Sequence, residues 1–341
     1  MNPEERRRRL LEGLNLYEGT GLEVGPLCSP LVTKDASDVY YVDHLSTEGL
    51  IEKYRDDPDV PMDRIVAVDF VSEGDLTAVI PAGMRFDWVV ASHVVEHVPD
   101  LIGWLEQLHS VLAEDGELCL VVPDRRYTFD YKRSVTTLAE ALATHSVVAT
   151  RPTAHAVIDQ EWNAARIGVK RAWRGGIKLA ELPEPVSPTA AMELGRTAEI
   201  DGVYRDVHVS VFTPKSFARL LGQMASHGLL SFGCARFVDT PRDELEFYVR
   251  LYPESDRSVA AASWKTMEDD VRLGPRIKNA GDIAQADYED QLRHLLQRLE
   301  SIENSRSWKA INRASQVKRK LVPMVSRRPK GDGARRQVSG G

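Results

Sequence analysis

FDWVVASHVVEHVPDLIGWLEQLHSVLAEDGELCLVVP, from Phe86 to Pro123, decides the fold. It runs apolar through FDWVVAS, breaks into charge at SHVVEHVPD, takes helical spacing through LIGWLEQLHSVLAEDG and runs apolar again in ELCLVVP. Two buried strands joined by a crossover helix imply a parallel α/β sheet, because parallel neighbours need a long connection where antiparallel ones need only a turn. Ligands of such sheets collect at the carboxyl ends of the strands. Here those ends carry Ser92, His93, Glu96, His97 and Asp124.

Working outward, a short N-terminal helix precedes GLEV (Gly21 to Val24), VYYV (Val39 to Val42) and IVAVDF (Ile65 to Phe70), which read as three earlier strands. Pro26 and Pro30 predict that no regular helix fills the first crossover. Further on, Thr213 and Pro214 form a helix start, with the hydroxyl as cap and proline at the first helical position. In PKSFARLLGQMASHG the residues Phe217, Leu220, Leu221 and Met224 share one face, and Gly228 lies just past the end. LSFGCARFV and LEFYVRLY, joined by TPRDE, are too close for anything but an antiparallel pair. The expected fold is α/β: a Rossmann-like, doubly wound sheet of seven strands with the last antiparallel.

Between these blocks the strand rhythm stops. TTLAEALATH and the stretch around HAVIDQEWNAARI read as helices, so a helical insertion over about 125–205 is expected to cover the site. The reading places a catalytic domain over 1–252, a linker over 253–284, an amphipathic helical segment over 285–325 and a basic tail over 326–341. Tyr288, Leu292, Leu295, Leu299 and Ile302 would form a coiled-coil-like seam two heptads long.

Composition narrows the class. The three cysteines, Cys28, Cys119 and Cys234, are too scattered for a disulfide framework or a zinc cluster. No apolar run approaches the roughly 20 residues that span a bilayer, and MNPEERRRRLLEGL is charged where a signal peptide is apolar. A cytoplasmic protein is expected. Net charge is -7, yet Arg306 to Gly341 holds eleven Lys or Arg against the single acid Asp332. Such an end reads either as a solvated tail or as a contact for an anionic surface, such as the inner face of a membrane. An acidic body with its basic charge confined to a tail argues against a nucleic-acid groove.

The strand ends suggest a nucleoside-type ligand. Asp43, followed by His44, ends the second strand, where a carboxylate can accept from both hydroxyls of a ribose. Asp69 ends the third, where it could meet an exocyclic amine while Phe70 packs on a purine. Glu23 ends the first and leads into Gly25, whose lack of a side chain lets the backbone approach a ligand.

GLEVGP, YYVDH, VDF, the Glu-His-Val of the fourth-strand loop and the closing hairpin together resemble the class I methyltransferases that use S-adenosylmethionine, in the type 11-like group, over about Gly21 to Tyr252. The resemblance implies S-adenosylmethionine as cofactor. It places Glu23 and Gly25 near the methionine part, Asp43 and His44 at the ribose, Asp69 and Phe70 at adenine, and Ser92 and His93 at the sulfonium. The family usually carries acid-x-Gly-x-Gly in its first loop, whereas this chain reads Glu23-Val24-Gly25-Pro26-Leu27. No GxGxxG exists to hold a pyrophosphate, which counts against a dinucleotide enzyme.

For the acceptor, PDRRYTFDY offers Arg125, Arg126, Tyr127 and Asp130, and YRDVHVSVFTP offers His208. Transfer to oxygen calls for in-line approach and often a base, a role for which His93 or His208 is the candidate by residue type; either can equally be structural. HVVEH also matches the HxxEH zinc-peptidase pattern, which needs both histidines one turn apart on a helix; Pro99 argues for a loop instead, and no metal ligand is assigned. His97 can simply satisfy carbonyls beneath that loop. SIENSRSWKAINRASQVKRKL is similar to the Ser-x-Ser-Trp segment that trails bacterial glycosyltransferases and polysaccharide-assembly proteins. That similarity points to a glycan or lipid-linked sugar as acceptor, with O-methylation of a sugar hydroxyl as the expected reaction. A non-catalytic adaptor in polysaccharide assembly and a zinc hydrolase are the alternatives.

Overall fold

The computed structural model describes residues 3–271. The two-heptad seam, the Ser-x-Ser-Trp segment and the basic tail lie outside the described residues. Strands β1 (Thr20–Val24), β2 (Asp38–Asp43), β3 (Phe70–Val71), β4 (Phe86–Ser92), β5 (Leu112–Pro123), β6 (Phe232–Val238) and β7 (Glu246–Pro253) form one sheet in the order β3-β2-β1-β4-β5-β7-β6. Pairing is parallel from β3 through to β5, and β7 runs antiparallel to both β5 and β6. The winding reverses between β1 and β4, so the crevice over their carboxyl ends is where such a sheet takes its ligand.

β4 and β5 read as unbroken apolar runs because both faces of the sheet are covered. One face packs against α4 (Leu101–Val111), α9 (Pro214–Ser226) and α10 (Arg257–Asp270), burying Leu105, Leu108, Phe217, Leu221 and Trp264. Asp100 caps α4 by accepting from Gly103 N, and Thr213 caps α9 in a capping box with Ser216. The other face is covered by α1 (Pro3–Leu11) and the irregular loop 25–37. Leu10, Leu11, Leu31 and Val32 there meet Tyr41, Trp88, Val90 and Val121. The two prolines thus do keep the first crossover free of helix. Two short helices, α2 (Thr47–Tyr54) and α3 (Leu76–Val79), follow β2 and β3.

The insertion after β5 carries α5 (Leu138–Ser146), α6 (Ala154–Asn163), α7 (Val169–Arg174) and α8 (Pro188–Asp201). The first two are the helices expected from sequence. Helix α8 packs on α6 through Ala198 and Gly195, where an added Cβ would come within 2.5 Å of Ile158. Among the described residues, no helix is long and apolar enough to cross a membrane.

Two expectations need correction. The third strand is only Phe70–Val71, not 65–70. Val66 N donates to Leu27 O, and the Asp69 carboxylate accepts from Tyr41 N, so loop and side-chain partners replace the ladder there. The stretch after Pro253 is not a linker as far as it is described. Asp256 caps α10, and Ala260, Trp264 and Met267, one stripe at helical spacing, are buried against α9 and β6. Trp264 also donates from Nε1 to Phe232 O at 2.8 Å.

Candidate active site at the carboxyl ends of the strands

Glu23, 1% exposed, does not face a ligand. Its two oxygens accept from Leu31 N at 2.7 Å and Val32 N at 3.0 Å, pinning the first loop to β1. Burial pushes its pKa up to about 7, against the pull of those two amides. Gly25 turns the chain at φ +64°, and a Cβ there would lie 3.1 Å from Val94 Cγ2. Leu27, two residues on, also takes a left-handed conformation, at φ 46°. The loop therefore keeps a backbone suited to glycine at the position where the family pattern has one and this chain has leucine.

Asp43 is buried at the end of β2. Its Oδ1 accepts from His44 N at 2.7 Å and lies 2.6 Å from His44 Nδ1. Asp69 and Phe70 are otherwise committed. Lys34 Nζ sits 2.7 Å from both Asp69 oxygens, and Phe70 stacks on Tyr40 with centroids 5.5 Å apart. Their expected place at adenine fails because β3 begins at Phe70, which leaves Asp69 before the strand instead of at its end. Ser72, whose N donates to Asp43 O, takes that end.

At the end of β4, Ser92 Oγ accepts from Arg6 of α1 at 2.7 Å. His93 follows at φ 54°, with Nε2 2.6 Å from Glu246 Oε2 and Nδ1 3.3 Å from Glu96 Oε1. Burial would depress its pKa, but the bonds to Glu246 and Glu96 outweigh burial and raise it to about 9. Glu246, 2% exposed, also binds Arg6 through both oxygens and Tyr248 Oη; burial is overcome by His93 and Arg6, and its pKa falls to about 2. His93 as catalytic base is thereby corrected: an imidazolium held between two carboxylates has no lone pair to offer at neutral pH. Arg6 and Glu246 had no sequence signal beyond a charged helix and an acid opening an apolar strand.

Beside this pair the loop 93–97 forms a turn and not a helix, so the HxxEH zinc-peptidase geometry does not arise. Glu96 is wholly buried, and its backbone O accepts from Val209 N at 2.7 Å and Ser210 N at 2.9 Å. That clamp brings in His208, whose Nε2 lies 4.0 Å from Glu96 Oε1, as does His97 Nε2. Each histidine has an aspartate behind it: Asp130 Oδ2 is 2.6 Å from His208 Nδ1, and Asp206 Oδ1 is 2.9 Å from His97 Nδ1. Asp130 is buried and also bound by Arg133; despite burial, His208 and Arg133 hold its pKa low. Sequence alone had singled out His208 and Asp130, but not their union with Glu96 and His97.

The other expected acceptor contacts are internal. Arg126 grips Asp124 through Nε and a terminal nitrogen, and Tyr127, 1% exposed, stacks on Trp173 with parallel rings 4.0 Å apart. Arg125 is buried and donates to Tyr131 O. These side chains fasten the insertion to the sheet instead of facing a substrate, as does Asp130, which touches the site only through His208. Exposed groups around the cluster include Phe129, whose ring centroid is 4.6 Å from that of His208, Tyr204, whose hydroxyl lies 3.4 Å from His97 O, and Asp206 beside His97.

Residues 19–224 match the family model of a methyltransferase domain, well over half of the chain. The chain belongs to that methyltransferase family. It is a class I enzyme dependent on S-adenosylmethionine, and the sheet order, with Asp43 at the end of β2, fits that assignment. No curated protein matches the chain. Among solved structures, similar ones include a protein described as a zinc-dependent alcohol dehydrogenase from Rhodobacter sphaeroides (15% identity, 74% of this chain and 90% of that one, TM-score 0.41). Others are the magnesium protoporphyrin IX methyltransferase of Synechocystis PCC 6803 with bound SAH (12%, 74% and 82%, 0.34) and the CcbJ methyltransferase of Streptomyces caelestis (11%, 74% and 91%, 0.38). At this level of likeness none bears on what this methyltransferase acts upon.

The residues present fit the cofactor of the methyltransferase. Gly25, which has no side chain and turns at φ +64°, donates from its N to Val42 O and so lies beside the end of β2, where Asp43 has one oxygen committed to His44.

Proposed function

We propose that this methyltransferase transfers its methyl group to a hydroxyl of a saccharide, in a cell-surface glycan or a lipid-linked precursor. The observation that carries the reading is the Asp130–His208 pair set against the exposed ring of Phe129. Phe129 and Tyr204 offer apolar faces on which a sugar ring can pack, and Asp130 fixes His208 so that Nε2 is left toward the site. The cluster of Glu96, His97 and His208 receives the hydroxyl proton as the oxygen is alkylated. S-adenosylmethionine, when bound, supplies the electrophilic methyl group. Asp43, with Gly25 of the first loop, holds the cofactor, and the ion-paired His93 contributes fixed positive charge and a rigid strand end instead of acting as a base.

In this reading the insertion over 125–205 is the substrate lid. The Ser-x-Ser-Trp segment and the basic end support an acceptor at the inner face of the membrane, with the protein on the cytoplasmic side. The test is transfer of radiolabelled methyl from S-adenosylmethionine to a panel of oligosaccharides, lipid-linked saccharides, peptides and small amines. Label on a saccharide oxygen, reduced at least about 100-fold in His208→Gln, is expected. Label appearing only on nitrogen, or transfer to saccharides indifferent to His208→Gln, would refute the assignment.

A further inference from the structure

Glu96, His97 and His208 present three ligand atoms that all lie within 4.8 Å of one another, from two segments far apart in sequence. We propose that they form a binding site for a divalent first-row transition cation of the zinc, cobalt or manganese type, with Glu96 as carboxylate ligand and His97 and His208 bound through Nε2. The proposal builds on the saccharide reading only in what the cation would do, not in whether it binds.

Three observations converge. First, Glu96 is 0% exposed and no hydrogen bond of full geometry reaches either of its oxygens; its charge is met by the His93 imidazolium, Nδ1 3.3 Å from Oε1, which Glu246 shares. A buried carboxylate that shares its cationic partner with a second buried carboxylate is costly unless further positive charge reaches it. Second, both histidines turn Nε2 toward the same Glu96 oxygen, at 4.0 Å each. Zinc-type ions hold nitrogen and oxygen ligands at about 2.0–2.2 Å, which sets ligand atoms roughly 3–3.4 Å apart, so each Glu96–histidine distance must close by roughly 0.6–1 Å. Third, each Nδ1 is backed by a carboxylate, Asp206 behind His97 at 2.9 Å and Asp130 behind His208 at 2.6 Å. Histidines that ligate metals are oriented in this way, the outer carboxylate fixing the tautomer that leaves Nε2 free.

The donor set selects the ion. Two imidazoles and one carboxylate suit borderline cations and not magnesium or calcium, which prefer oxygen alone. This arrangement differs from the zinc-peptidase one, in which the glutamate is a base and both histidines come from one helix. Here His93 is excluded as a ligand because Glu246 occupies its Nε2, and the second histidine comes from beyond α8. If bound, the cation would act as a Lewis acid on the acceptor hydroxyl and lower its pKa, so that the proton would pass to solvent water and not to His208, whose Nε2 lone pair would then be held by the ion.

The test is titration of chelator-stripped full-length protein with Co²⁺, read by its visible d–d absorption and by metal analysis after gel filtration. One equivalent with intense bands is expected, abolished in Glu96→Gln and His208→Gln and weakened about 10- to 100-fold in Asp206→Asn, which alters only the outer carboxylate. Binding of S-adenosylhomocysteine by the same samples, together with circular dichroism, reports whether each variant is folded and whether the methyltransferase reading stands separately. Absence of stoichiometric Co²⁺ binding in folded wild-type protein, or binding unchanged in Glu96→Gln, would overturn the cation site. Loss of saccharide methylation with Co²⁺ binding intact would overturn the acceptor instead.

Discussion

His93 Nε2 lies 2.6 Å from Glu246 Oε2, joining the turn after β4 to the first residue of β7 across the carboxyl edge of the sheet. Arg6 completes the contact from α1, bound to Glu246 and to Ser92. The N-terminal helix, the fourth strand and the hairpin are thus locked together by charge at the place where the cofactor crevice opens.

The lock gives stability a pH signature. His93 has its pKa raised from 6.5 to about 9, so its stabilising share is complete below about 6.5 and is lost as pH rises through 9. Glu246, lowered from 4.5 to about 2, contributes above 4.5 and loses its share as pH falls through 2. Glu23, raised from 4.5 to about 7, adds its own decline between those values, which ends before the upper half of the His93 window. Melting temperature is therefore expected to fall between pH 7 and 9, and the fall should be absent from His93→Gln. A wild-type profile flat over that range would contradict the ion pair.

Removing the carboxylate leaves two cations facing each other without it. Glu246→Ala is expected to destabilise by about 3–5 kcal/mol, the range for breaking a buried pair from one side, as read by urea unfolding. A loss below about 1 kcal/mol would mean that Arg6 and His93 find solvent easily.

Leu27 stands in a left-handed conformation that costs a branched or bulky residue roughly 1–2 kcal/mol. Leu27→Gly removes the strain, offset by roughly 0.5–1 kcal/mol of added chain entropy, so stability should hold or rise slightly. Leu27→Val, stiffer at Cβ, should lose about 1 kcal/mol or more. The ordering in denaturant midpoint, glycine at or above wild type and valine below, tests whether the loop keeps its glycine-like backbone.

Helix α10 is expected to belong to the catalytic domain. Trp264 is wholly buried with its indole N–H bonded to Phe232 O, and Trp264→Ala should cost roughly 3–5 kcal/mol. Chain ending at Pro253 should expose the α9 and β6 surfaces and aggregate, whereas chain ending at Val271 should stay monodisperse. Equal solution behaviour of the two would show α10 to be dispensable.

The sheet was legible because its signals are local: apolar runs of strand length, a Thr-Pro helix start, and a hairpin too short for a crossover. Helix α10 is not legible in the sequence because its buried stripe is short, Ala260, Trp264 and Met267, and ends in the polar run Glu268 to Asp270. The third strand was overextended because Asp69 imitates a ladder partner with its side chain, which no apolar pattern reveals. Within the site, Asp43 and His208 could be found from strand ends and residue type. The burial of Glu96 and the pairing of Arg6 with Glu246 could not, since both depend on contacts between segments that sequence spacing leaves unconnected.

Calorimetric titration of the full-length protein with S-adenosylhomocysteine, alongside Asp43→Ala, tests the central claim most directly. Micromolar binding in the wild type, lost or weakened at least about 10-fold in Asp43→Ala, corresponds to one ribose contact of 1.4 kcal/mol or more and is the predicted result. Folded wild-type protein that binds no S-adenosylhomocysteine, or an Asp43→Ala protein that binds it equally well, would contradict a cofactor crevice at the ends of β1, β2 and β4.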